Sequence, residues 1–258
     1  EREIVELNDI PDYLEDAFIA IEDHRFKQHI GIDPKRIIGS LIHNIKVGDL
    51  KAQGGSTITQ QLAKNLYLSG EKKFDRKIKE AYLAIEMERK LTKDQILEYY
   101  LNTIPLGGSV NGVQAAAFAY FSKDVGELTL AESALIASIP KSTSRYKPFK
   151  QIESSEDGNI PEEDIVGYVY VSGTKYSCIY NETAVERQKT VLARMYELGY
   201  ISEDEYNEAL NQDIKSSLNP GQKKIEGISS YFTDYVKRQV ITDLMEEYGY
   251  DYDEAENY

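Results

Sequence analysis

The sequence predicts a mainly helical fold carrying one β-hairpin, on three observations. Through the first 150 residues apolar side chains recur at i, i+4 and i+7, the spacing that lines one face of an α-helix. Helix-start chemistry recurs with them: Asp33-Pro34 sets an N-cap before a first-turn proline, and Thr92/Gln95, Thr129/Glu132 and Ser202/Glu205 have the form of capping boxes. One stretch, Val166 to Tyr180, switches to the two-residue alternation of strands.

Taken in order, Pro11 opens a helix whose Leu14, Phe18 and Ile21 form a stripe ending at Glu22-Asp23. The helix from Asp33-Pro34 carries Ile37, Ile38, Leu41, Ile42 and Ile45 and stops near Gly48. Gly54-Gly55-Ser56 breaks the chain again, and Ser56 or Thr57 is placed to cap the next helix. Further on, Ile78, Tyr82 and Ile85 define an expected buried stripe. Residues 154–164 read as an acidic loop, and Val166, Tyr168 and Tyr170 pair with Tyr176, Cys178 and Tyr180 around a Ser172-Gly173 turn. Gly199 closes the helix that begins near Thr183, and Asp251 to Tyr258 reads as a loose acidic tail.

The 258 residues are 41% hydrophobic and 29% charged, the balance of an ordinary globular chain. No stretch has the roughly 18 consecutive apolar residues of a membrane-spanning helix. Glu1-Arg2-Glu3 opens without a signal peptide, so any targeting segment is expected to lie outside this sequence. A single cysteine, Cys178, excludes an internal disulfide and a thiolate metal cluster. The net charge of −14 lies wholly in residues 151–258, since residues 1–150 hold 21 Lys+Arg and 21 Asp+Glu. Residues 21–90 carry 14 cations and 9 anions, which leaves room for a local anion site.

Three blocks hold the candidate chemistry. Glu22-Asp23-His24-Arg25-Phe26-Lys27-Gln28-His29-Ile30-Gly31-Ile32-Asp33 is the densest in reactive groups. A carboxylate ending an apolar helix lies near the interior, where desolvation favours general-base work; the alternative is a solvated helix end. Gly54-Gly55-Ser56-Thr57 before Gln60, Gln61, Lys64 and Asn65 offers free N–H groups and hydroxyls to an anion, or is simply a capped helix. It is no P-loop, because Gly-Lys-Ser/Thr is missing. Lys72 to Glu80 holds five cations in nine residues, with Arg76 and Glu80 on one face; the alternative is a salt-bridged exposed helix. His24, His29 and His43 lack metal-ligand spacing and read as structural.

Together these blocks resemble the signatures of glycosyltransferase family 51, the peptidoglycan transglycosylase domain of class A penicillin-binding proteins. Glu22-Asp23-x-x-Phe26-x-x-His29-x-Gly31-x-Asp33 resembles the first signature, and Gly55-Ser56-Thr57-Ile58-Thr59-Gln60-Gln61-Leu62-x-Lys64-Asn65 the second. Arg76-Lys77-x-x-Glu80 resembles the third, Lys93-x-x-Ile96-Leu97 through Leu101-Asn102 the fourth, and Ala131-Glu132 through Pro148 a looser fifth. The signatures run in family order over residues 14–148. Similarity resumes from Glu186-Arg187 to Leu210, and Tyr231 to Val236 resembles the lead into a transpeptidase domain. Pro105-Leu106, Lys141 and residues 151–182 depart from the family pattern.

The resemblance implies a lysozyme-like transglycosylase fold. Residues 1–212 would be the glycosyltransferase domain, with 36–52 a small membrane-contacting subdomain and 151–182 an insertion; 213–258 would lead toward a transpeptidase domain outside this sequence. It implies an enzyme that polymerises lipid II into β-1,4 glycan with inversion, releases undecaprenyl pyrophosphate and is inhibited by moenomycin. Glu22 is then the general base and Glu80 the second carboxylate. Asp23, Phe26, His29, Ser56, Thr57, Gln60, Gln61, Lys64, Asn65, Arg76, Lys77 and Asn102 are expected to bind substrate. No cofactor is required by the sequence, although Mg or Mn at the pyrophosphate suits such a leaving group. The implied partners are lipid II, the growing glycan chain, a membrane surface and the linked transpeptidase domain, with no nucleic acid. The implied location is the outer face of the bacterial cytoplasmic membrane, anchored by an N-terminal helix outside this sequence. The competing reading is a lysozyme-like hydrolase or lytic transglycosylase that cleaves glycan strands.

Overall fold

The structure, a computed structural model, describes residues 4–48, 54–67, 73–158, 160–171 and 173–221. It is mainly helical, as expected. Helices α1 (Asp12–Glu22), α2 (Pro34–Val47), α3 (Ile58–Tyr67), α4 (Lys73–Lys90) and α5 (Lys93–Thr103) carry the candidate blocks. Then come α6 (Val113–Phe121) and α7 (Leu130–Ser138), and after the sheet α8 (Glu182–Glu197), α9 (Glu203–Asn211) and α10 (Ile214–Ser217). No described helix is long and apolar enough to cross a membrane.

The local signals hold. Asp33 accepts the Arg36 N–H at the start of α2, and Gly48 ends that helix with φ +75°. Thr92, Thr129 and Ser202 each form a reciprocal capping box with Gln95, Glu132 and Glu205. Thr57 makes a fourth: its Oγ1 accepts the Gln60 N–H at 3.1 Å, while Gln60 Oε1 accepts the Thr57 N–H at 3.0 Å. Each such box satisfies two N–H groups that a helix start otherwise leaves bare.

The core is continuous. Leu14, Phe18, Phe26, Ile58, Leu62, Tyr100, Leu101 and Leu135 are all buried in one cluster, so α1, α3, α5 and α7 share it. α7 is buried from Ala131 to Ser138, including Glu132, whose carboxylate is held by Lys123 at 2.7 Å.

α4 departs from expectation. Ile78 and Tyr82 are 62% and 63% exposed, while Glu80 and Ala84 face inward. Two contacts set that rotation. The Gly31 backbone, at φ +91°, packs so closely on α4 that a Cβ there would lie 2.6 Å from the Ala84 carbonyl oxygen. Glu80 turns in because Arg76 and Lys77 neutralise it. An ion cluster and a backbone contact outweigh the apolar spacing.

The hairpin is present, with β2 (Ile165–Val171) and β3 (Thr174–Tyr180) antiparallel across Val171↔Thr174. A third strand missed in the sequence, β1 (Phe149–Glu153), pairs with the other edge of β3, giving the order β1-β3-β2. The sheet packs on the core. Phe149, Val169 and Cys178 are buried, and the Phe149 ring meets Tyr120 edge-on at 5.5 Å. Burial pushes the Cys178 thiol up to about 11, so it stays protonated and packs as a small apolar group.

The first compact unit runs to Gln222, beyond the expected end of the glycosyltransferase domain at 212. Ile214 and Leu218 are buried in it, and Gly221 donates to the Ala119 carbonyl at 3.1 Å. Residues 222–258, with the expected acidic tail and the Tyr231 to Val236 segment, lie outside the described residues.

Candidate active site

α1 delivers Glu22 as its last residue, at the edge of the core. Gln61 of α3 donates from Nε2 to Glu22 Oε2 at 2.8 Å, although 39 positions separate the two in sequence. The buried Tyr100 of α5 in turn donates its hydroxyl to Gln61 Oε1 at 3.2 Å.

Asp23 turns the other way and is fully buried. Its Oδ2 receives His29 Nε2 at 2.8 Å and the Ile58 backbone N–H at 3.0 Å. Because His29 Nδ1 accepts the Gly31 N–H at 3.2 Å, the ring hydrogen sits on Nε2, toward Asp23. Asp23 Oδ1 has no hydrogen-bond partner and faces Arg36 of α2 at ion-pair distance, 3.6 Å. One carboxylate thus joins the ends of α1, α2 and α3. Thr57 adds a second link, donating to the Gly31 carbonyl at 2.6 Å.

Lys93 of α5 secures the same block from behind. Its Nζ donates to the His29 carbonyl and to Glu88, both at 2.7 Å, and lies 4.5 Å from the centre of the buried Phe26 ring. Asn102 reaches the other way, pairing with the N–H and carbonyl of Val5 at 2.9 Å each.

The cations converge beside α3. Glu80, 1% exposed, takes Lys77 on Oε2, and Lys77 also donates to Ser56 Oγ at 3.2 Å. Arg76 Nε lies 3.2 Å from Glu80 Oε1 as an ion pair without hydrogen-bond alignment. Lys64 keeps an exposed surface, yet loss of water lowers its ammonium below the ordinary lysine range; Glu80 opposes that shift, Lys77 and Arg76 reinforce it, and Glu22 opposes it. Lys64 thus lies within electrostatic reach of Glu80, Lys77, Arg76 and Glu22. Asn65 is half-buried next to Lys64 on α3. Side chains of Lys72 and Lys73, named with the same run, lie outside the described residues.

Glu22, Ser56 and Gln61 open onto a cavity of about 740 Å³ whose walls also include Arg36, Lys141, Arg187 and Arg194. Arg36, Arg187 and Arg194 were missed in the sequence. Arg36 could have been placed from its position three residues after the Asp33 cap; Arg187 and Arg194 come from α8, about 165 positions away, and no local signal marks them. His24 shares the wall, and burial, followed by the Arg194 and Arg36 guanidiniums, pushes its imidazole below the ordinary range. It is uncharged at neutral pH.

The expected substrate-binding residues thus divide. Ser56, Gln61, Lys64, Arg76 and Lys77 stand at the cavity or the cation cluster; Asp23, Phe26, His29, Thr57, Gln60 and Asn102 are buried behind them and hold the elements in place. For a divalent cation, no three ligating side chains converge among the described residues, and both Glu80 oxygens face cations.

A carboxylate lining a cavity with a cation cluster nearby is equipped to take a proton while an anion departs. Penicillin-binding protein 1A of Clostridium perfringens (strain 13 / Type A) is 40% identical over 261 residues, covering 99% of this chain and 35% of that protein. Penicillin-binding protein 1A of Aquifex aeolicus is 41% identical over 241 residues, covering 93% of this chain and 28% of that protein. The chain spans about a third of the length of these curated relatives. The crystal structure of penicillin-binding protein 1A from Haemophilus influenzae matches with a TM-score of 0.43 at 24% identity, covering 97% of this chain and 22% of that one. A family model described as Transglycosylase matches residues 1–166. That span takes in both carboxylates and the two cations paired with Glu80, and at this coverage the chain belongs to the transglycosylase family.

Proposed function

We propose that the chain is a peptidoglycan glycosyltransferase that polymerises lipid II. The observation that carries the reading is Glu22, one oxygen held by Gln61, on a cavity it shares with Ser56, to which Lys77 of the cation cluster donates. The acceptor's sugar 4-hydroxyl gives its proton to Glu22, and its oxygen bonds to the donor's anomeric carbon from the face opposite the leaving group. The bond from that carbon to pyrophosphate breaks, and undecaprenyl pyrophosphate departs carrying the electron pair. The cations hold the charge that grows on it, where preorganised donors lower the barrier most. Asp23, His29 and Thr57 position α3, and with it Gln61 and Lys64.

A glycan-cleaving hydrolase would also use a buried-edge glutamate, but it releases no pyrophosphate and has no use for three clustered cations. Incubation with labelled lipid II, and separately with finished glycan, separates the two readings: polymer from the first is expected, and soluble fragments from the second would favour the hydrolase.

Replacing Lys64 or Arg76 by Ala should raise KM for lipid II and weaken a phosphate-bearing inhibitor such as moenomycin, each by roughly tenfold, a charge-assisted contact being worth about 1.5–3 kcal/mol. Calorimetry showing unchanged inhibitor affinity in both variants would remove the cluster from the donor site. Since the Lys64 pKa is lowered, its charge is lost earlier as pH rises, so inhibitor affinity should fade on the alkaline side sooner than for an ordinary lysine.

We read α2 as the surface that meets the membrane. Ile37, Ile38, Ile42 and Ile45 are exposed, Ile38 and Ile45 at 59% and 65%, and Lys46 stands in its last turn. The Leu41 and His43 side chains, and residues 49–53 with Lys51, lie outside the described residues. Changing Ile38, Ile42 and Ile45 to Ser should lower binding to anionic liposomes at least about tenfold, while the melting temperature moves by no more than a few degrees. Equal binding by variant and parent would contradict this. For the whole protein we propose the outer face of the cytoplasmic membrane as its place and a linked transpeptidase domain as its partner.

A further inference from the structure

We propose that Tyr100 is a positioning residue for the base, anchoring the Gln61 amide that holds Glu22. The inference rests on the reading of Glu22 as base. Tyr100 is wholly buried in α5, its ring edge-on to Phe18 with centroids 5.9 Å apart. Its hydroxyl meets Gln61 Oε1 at 3.2 Å, and Gln61 Nε2 meets Glu22 Oε2 at 2.8 Å.

The chemistry of the three groups allows one arrangement. An ionised carboxylate only accepts, so the amide must present its NH₂ to Glu22. The other end of the amide then presents an oxygen, which needs a donor. Burial, followed by the Glu22 and Asp23 carboxylates, pushes the Tyr100 phenol well above its ordinary range, so the donor keeps its proton throughout the working pH. A flipped amide would set two acceptors together at Glu22, so the Tyr100 hydroxyl is left as the donor to the amide oxygen. With the hydroxyl present, Glu22 Oε2 is pinned and the other carboxylate oxygen is left to take the substrate proton. Without it the amide loses its anchor on that side, and the base it holds samples orientations from which no proton is in reach.

Tyr100 touches no substrate in this account, so the test is a split between kcat and KM. In Tyr100→Phe, which keeps the ring and its packing, kcat for lipid II polymerisation should fall about tenfold with KM within about twofold. On a Glu22→Gln background the same change should add nothing, because orienting a group that is no longer a base is without effect. Wild-type kcat in Tyr100→Phe overturns the proposal, and so does an equal fractional loss in both backgrounds, the mark of a purely structural residue. Near wild-type activity in Glu22→Gln alone would instead show that the base assignment itself had failed. If Tyr100→Phe does not fold, Gln61→Met, similar in length and without a donor, carries the same test: a fall of about tenfold in kcat that vanishes on the Glu22→Gln background supports the relay, and additivity overturns it.

Discussion

Glu22→Gln is expected to lower the rate of glycan polymerisation by about 10²–10⁴-fold, the usual span for removing a general base. The substitution is nearly isosteric, and Glu22 stands at the rim of the core at the end of α1, so the melting temperature should stay within a few degrees of the parent. The amide at position 22 can still meet Gln61 through its oxygen, which preserves local geometry while removing the ability to take a proton. A steady-state rate measured with labelled lipid II checks the assignment. Near-parental turnover would place the base elsewhere, with Glu80 the next carboxylate to try.

Asp23→Ala is expected to act on the fold before the chemistry. It leaves His29 Nε2, the Ile58 N–H and Arg36 facing a void in a fully buried site. Removing one partner of a buried ion pair costs about 3–5 kcal/mol. In a unit of this size that lowers the melting temperature on the order of 10 °C. Activity should fall as well, even below the transition, because α3 loses the contact that sets its start and carries Gln61 and Lys64 with it. A normal melt with a raised KM alone would mean that Asp23 meets substrate directly.

The caps were legible because their partners lie three residues apart, and spacing within a turn survives any tertiary arrangement. Asp33 on α2 and Thr92 on α5 are both where their sequences put them. α4 was misread because its inward face is chosen by Glu80 with Arg76 and Lys77 and by the approach of Gly31 to Ala84, neither of which appears in apolar periodicity. Strand β1, Phe-Lys-Gln-Ile-Glu, is short and half charged, and it is a strand only because β3 offers it an edge. At the site, the reactive residue types were legible, but their division was not. That Thr57 turns inward while Gln61 turns outward depends on contacts across 26 and 39 positions. The arginines of α8 are further still in sequence, and only the folded chain brings them opposite Glu22.

The central claim is a single displacement in which Glu22 takes the acceptor's proton and the cation cluster receives the departing pyrophosphate. The measurement that tests it most directly is the anomeric configuration of the new bond, read by NMR on polymer made from lipid II by this chain, alongside mass spectrometry of the enzyme during turnover. The account predicts uniform β linkages, inverted from the donor, and no sugar attached to the protein. Retained configuration, or a glycosyl adduct on Glu22, would contradict it.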